Sequence, residues 1–121
     1  MSVKSFFASS CETRELHVDP ELRTRYYRNN FKQVVDGIRK LAELNKMIVK
    51  EVNEVHKEIY LIGNGFDCIV TVSQMTPIEA GIDFKVNYFS AMGFNRPKKK
   101  AVKFYQDLKR ILTFKGISLH P

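Results

Sequence analysis

From Tyr27 to Ile59 the chain repeats at spacings that alternate four and three without a slip: Tyr27, Phe31, Val34, Ile38, Leu41, Asn45, Ile48, Val52, Val55 and Ile59, with Asn45 the polar member. This is the stripe of a helix packed along one side. Val35, Ala42 and Val49 widen it, which suits packing on a sheet better than a narrow coiled-coil seam. Asp19-Pro20-Glu21 supplies a helix start, with a capping carboxylate, a first-turn proline and an acid favoured by the helix dipole. One continuous helix over 27–59 would be ~48 Å long at ~1.5 Å per residue. A compact chain of this size spans only roughly 35 Å. Either the helix breaks, at Asn29-Asn30 or Gly37, or it projects and pairs with a second copy, giving a homodimer through the 27–59 helix. Asn45 fits the second arrangement, because a buried Asn on such a stripe fixes partner register. A helix-terminal or surface position is the plainer reading of Asn45, and the preferred one.

After Lys57 the period changes to two. Ile59–Ile62 reads as a short strand, Gly63-Asn64-Gly65 as a tight turn, and Phe66–Val72 as a second strand. Phe66, Cys68, Val70 and Val72 share one face, opposite Asp67, Ile69, Thr71 and Ser73. A third strand points Ile82, Phe84, Val86 and Tyr88 inward, with Asp83, Lys85 and Asn87 outward. Pro97 opens a helix to about Phe114 with Val102, Tyr105, Leu108 and Leu112 on its apolar side, closed by Gly116 as a left-handed cap. Ile117–His120 is a candidate last strand. The expectation is an α+β fold, αβββα with room for a final β. It comprises a long N-terminal helix, whole or broken, a three-stranded antiparallel sheet and a basic C-terminal helix. Residues 1–18 read as an irregular arm with Phe6 and Phe7 as candidate anchors, and residues 19–121 as a single domain.

Charge is unevenly distributed along this frame. Residues 96–121 carry eight Lys and Arg against one Asp, which equals the net +7 of the whole chain, whereas residues 61–95 hold Lys85 against Asp67, Glu79 and Asp83. Arg96, Lys98, Lys99, Lys100, Lys103, Lys109 and Arg110 therefore form a candidate phosphate-binding face, since backbone phosphates need point charges along a surface. Arg25 and Arg28, with Arg23 and interleaved by Tyr26 and Tyr27, make a second basic group. Cys11 and Cys68 lack metal-site spacing and read as two reduced thiols, and His17, His56 and His120 lack ligand spacing. The uncharged stretch Cys68–Ile78 is too short to span a membrane and no signal peptide is evident, so a cytoplasmic protein is expected, in the host cell if virus-encoded.

The strand segments Phe66-Asp67-Cys68 and Ile82-Asp83-Phe84-Lys85 place an Asp on one strand and Asp-x-Lys on the next. Over residues 40–120 this resembles the PD-(D/E)xK nucleases, although Phe66 stands where the family has Pro. The resemblance implies Asp67 and Asp83 as Mg²⁺ ligands, Lys85 as the catalytic lysine, and Glu51 or Glu54 as the acid some members carry on the preceding helix. A hairpin centred near Met75 would face Asp67 with Asp83. One centred on Glu79-Ala80-Gly81 would leave them about six residues, or ~20 Å, apart. Lys99-Lys100-Ala101-Val102-Lys103 is also similar to the run opening the last helix of double-stranded-RNA-binding domains, whose Gly-Pro-x-His loop is replaced here by Gly63-Asn64-Gly65-Phe66.

These features together point to a small, basic, non-catalytic protein, without cofactor, that binds nucleic acid or a nucleic-acid-handling complex through Arg96–Arg110. A virus-encoded inhibitor or adaptor would have this character. The alternative expectation is a Mg²⁺-dependent nuclease of the type just described.

Overall fold

Asn30 opens the first helix, α1 (Phe31–Leu44), through a reciprocal capping box. Its side chain accepts from the Gln33 amide, and the Gln33 side chain accepts from the Asn30 amide. Val34, Ile38 and Leu41 form the buried stripe, so the sequence periodicity holds this far. Gly37 lies inside the helix and does not break it. A Cβ there would stand 2.7 Å from the Leu112 side chain, so glycine permits close packing against the chain leaving the second helix. The computed structural model describes residues 10–89 and 96–117, and Phe6, Phe7 and Ser118–His120 lie outside them.

The helix ends at Asn45. Lys46 takes a left-handed conformation (φ 54°) and the chain reverses into β3 (Ile48–Asn53) and β4 (Glu58–Gly63). The expected continuous 27–59 helix is therefore corrected to one helix of 14 residues followed by two strands, and the helical surface invoked for a homodimer does not form. The β-branched residues Ile48, Val49, Val52 and Val55 favour extended backbone. Their helical spacing is coincidental, as the high exposure of Ile48 (68%) and Val55 (86%) demonstrates.

Further strands are β1 (Ser10–Glu12), β2 (Arg25–Tyr27), β5 (Phe66–Thr76), β6 (Glu79–Tyr88) and β7 (Phe114–Ile117). The described residues thus form a seven-stranded antiparallel sheet, not a three-stranded one, in the order β3-β4-β5-β6-β2-β7. β1 shares the outer edge of β6 with β2: Ser10–Glu12 pair with Lys85–Asn87, and Arg25–Tyr27 with Ala80–Ile82. Asp19-Pro20-Glu21 does cap, with the Asp19 carboxylate accepting from the Glu21 amide, but only a single 3-10 turn follows (Pro20–Leu22). Gly116 sits in β7 opposite Tyr26 rather than capping a helix, because the second helix, α2 (Arg96–Ile111), ends earlier.

Both helices pack on one face of the sheet. The strand alternation predicted Phe66, Cys68, Val70, Val72, Ile82, Phe84, Val86 and Tyr88 inward, and all are buried. Gly65 at φ +83° turns β4 into β5 in the position where only glycine is unstrained.

Cys11 and Cys68 pair with Val86 from opposite sides, so their Cα atoms are two strand spacings apart, ~10 Å. A disulfide requires no more than ~7 Å. Burial raises the pKa of both thiols, most strongly for Cys68. Thiol titration without reductant should count two thiols in denaturant and slow reaction in the native protein. An oxidised monomer lacking thiols would contradict this register.

Candidate nucleic-acid interface

Ala101, Phe104, Tyr105 and Leu108 fix which side of α2 faces the sheet, and all are fully buried. The lysines and arginines between them are thereby directed away from the core. Lys99, Lys103, Gln106 and Arg110 make the outer ridge, and all four are exposed. The flanks are not bare. Lys98 pairs with Asp19 (2.7 Å) and Glu21 (3.4 Å) on one side. On the other, Lys103 pairs with Asp107 (2.8 Å) and donates to the Asn45 side chain (3.2 Å). Asn45 also donates to Asp107 and to the Leu41 carbonyl, the helix-terminal role preferred for it above.

Three other cations rest on aromatic rings. The Arg96 guanidinium lies 4.4 Å over Tyr88, the Lys100 ammonium 5.1 Å over Phe66, and the Lys109 ammonium 5.1 Å over Phe114. Phe66 and Tyr88 are stacked at 5.2 Å, because the ends of β5 and β6 meet in register beneath the first turn of α2. A ring face holds a cation without cancelling its charge. Burial, then the charges of Lys103 and Arg96, draw the Lys100 ammonium below its ordinary pKa. Lys99 and Arg110 make no ion pair with the described residues.

Two hollows flank the Lys99–Lys103 rib. One, of about 260 Å³, is lined by Tyr88, Arg96, Lys99, Lys100 and Lys103. The other, of about 270 Å³, is lined by Glu21, Lys98, Lys99, Val102, Lys103 and Gln106. Arg25 does not join them. It is half-buried beneath α2, 4.6 Å over the Tyr105 ring, with its Nε lacking a hydrogen-bond partner. Arg28 is exposed at the end of β2, where its amide donates to the Thr113 carbonyl.

The opposite face of the sheet carries Glu12, Glu51, Glu58, Asp67 and Asp83 with Lys85, so the faces differ in sign. The β5–β6 hairpin turns at Pro77-Ile78, between the two positions expected. Asp67 lies opposite Asn87, Asp83 opposite Thr71, and Lys85 opposite Ile69. The two carboxylates are therefore four positions apart on one face, ~13 Å along the strands. Asp67 accepts from Tyr60 (2.6 Å) and Asn87 (3.2 Å), and Asp83 from Thr13 and Thr24 (2.7 Å each). Mg²⁺–oxygen bonds near ~2.1 Å cannot join them. Glu51 is in β3 and Glu54 just beyond it, not on a helix. Among the described residues no group of three or more His, Cys, Asp or Glu side chains is placed to hold a metal ion, and no helix is long and apolar enough to cross a membrane.

No family model matches the chain, and no curated protein or solved structure matches it either.

The alternation and the helical stripe made the α2 cations legible in the sequence. The Phe66–Tyr88 platform was not, although both residues read as inward-facing: their contact depends on hairpin register. Gln106 and Glu21 carried no signal of their own.

Proposed function

We propose that this protein binds nucleic acid, without cleaving it, through the exposed side of α2. The carrying observation is that the Lys100 ammonium is held over the ring of Phe66 rather than against a carboxylate, so its charge stays available to an anion beside Lys99. Asp19 and Glu21, from the 3-10 turn, neutralise Lys98, and Asp107 neutralises Lys103, which centres the effective footprint on Lys99, Lys100, Lys109 and Arg110. The acidic far face of the sheet orients a polyanion toward α2. A basic patch on a small scaffold also suits a subunit, inhibitor or adaptor of a nucleic-acid-handling complex, and two thiols that cannot pair suit the reducing cytoplasm. The nuclease reading is not carried forward, since the β5–β6 register leaves Asp67 and Asp83 four positions, ~13 Å, apart.

Fluorescence anisotropy with labelled oligonucleotides over a salt series tests this. Each phosphate contact contributes about 0.9 to the slope of log K against log salt for duplex DNA and about 0.7 for single strands. Lys99→Ala/Lys100→Ala should weaken binding and lower that slope by about 1.5. Lys98→Ala, already neutralised by Asp19 and Glu21, should change neither greatly. An unchanged slope in the double variant removes α2 from the proposal.

A further inference from the structure

Resting on that reading of α2, we infer that the nucleic acid is single-stranded, with a phosphate beside Tyr88 and the adjoining unpaired base against Val102 and Gln106. The two hollows differ in chemistry although Lys99 and Lys103 line both. The hollow at Tyr88 is lined by a ring and four basic side chains, of which Lys103 is paired with Asp107, the surroundings of a phosphate. Across the rib, the second adds an apolar floor in Val102, the amide of Gln106 and the carboxylate of Glu21. A base has an apolar face and a hydrogen-bonding edge, and this set offers a counterpart to each. The Gln106 amide, a donor and acceptor, makes no hydrogen bond with the described residues. Glu21, 59% exposed and farther from Lys98 (3.4 Å) than Asp19 is (2.7 Å), can accept from an exocyclic amino group. Volumes of about 270 and 260 Å³ lie just under the roughly 300–1,000 Å³ of drug-sized sites, the scale of parts of one nucleotide.

A duplex fits this surface poorly. Its bases turn their pairing edges to each other, and reading them requires a helix about 10–12 Å across to enter a major groove about 12 Å wide. α2 is bordered on both flanks by other parts of the chain. Asn45 at the end of α1 is bonded to Asp107 and Lys103 on one flank, and Asp19 and Glu21 are bonded to Lys98 on the other. A single strand can lie along the helix with alternate groups in the two hollows.

The test compares one labelled sequence as single strand and annealed to its complement, as RNA and as DNA, at fixed salt. Wild type should bind the single strand at least about tenfold more tightly than the duplex. Gln106→Ala should lose most of that preference while keeping the salt slope, a separation that a general loss of charge or fold would not produce. Equal affinity for duplex and single strand, with Lys99→Ala/Lys100→Ala still weakening both, overturns the single-strand inference and leaves the α2 reading standing. Unaltered binding of both forms in the double variant overturns the reading beneath it as well.

Discussion

Thr13→Val is expected to lower stability by about 3 kcal/mol, the scale of leaving a buried donor and its neighbours unsatisfied, despite preserving shape and volume. Thr13 is 2% exposed and its hydroxyl joins three elements. It accepts from the Phe84 amide (2.9 Å), donates to Asp83 (2.7 Å) and meets the Tyr105 hydroxyl (2.8 Å), which donates to the Ile82 carbonyl (2.7 Å). The Thr13 side chain here supplies the acceptor that a continued β1–β6 ladder would have offered Phe84. Thr24→Val removes a single bond to Asp83 and should lose only about 1.5 kcal/mol. Urea denaturation separates the two variants, with a midpoint shift of about 1–3 M for the larger effect. Acid should narrow the Thr13→Val deficit. Burial raises the Asp83 pKa against the opposing hydrogen bonds from Thr24 and Thr13. A carboxyl raised in the native state contributes its stability below the unfolded pKa and loses it as pH rises through the native one. Removing a donor raises the native value further, so the deficit is largest above that window. A variant within about 0.5 kcal/mol of wild type at neutral pH would show that this hydroxyl holds nothing together.

Strand alternation made the centre of the fold readable. β5 and β6 bury the side chains assigned inward because a two-residue period over ten residues admits one placement of its apolar face. The α+β class, the Asn64-Gly65 turn and the start of α2 followed from equally local chemistry. The segment Ile48–Ile59 did not, because an apolar stripe at 3.5-residue spacing does not distinguish a continuing helix from a left-handed reversal at Lys46 followed by valine-rich strands. β1, β2 and β7 have three or four residues each, too few for a period to register; β1 and β2 form on the edge that β6 offers, and β7 on the edge of β2.

At the candidate site, the sequence distributes charge among elements but not among partners. Lys103 and Asp107 are four apart on one helix, a pairing readable from spacing. Asp19 and Glu21, which hold Lys98, lie about eighty residues away in sequence. The same limit applied to Asp67 and Asp83, whose separation followed from a turn centre that neither expected position matched.

Phe104→Ala should have the largest effect of any single substitution considered, about 3–5 kcal/mol. Phe104 is fully buried where α2 meets the sheet, its ring 5.4 Å from Phe84 and 6.4 Å from Phe66. Truncation removes apolar burial and leaves a cavity between two close-packed layers. It also undermines Phe66, which stacks on Tyr88 and lies under Lys100. Melting should therefore fall by roughly 10–20 °C, as a loss of that size implies for a domain of this length. Phe104→Leu refills most of the volume and should lose no more than about 1.5 kcal/mol. Under the α2 reading, that milder variant keeps nucleic-acid affinity, while Phe104→Ala weakens it even where the protein remains folded, because the platform under Arg96 and Lys100 is free to tilt. A melting temperature for Phe104→Ala close to that of wild type would mean that the ring does not key the helix to the sheet.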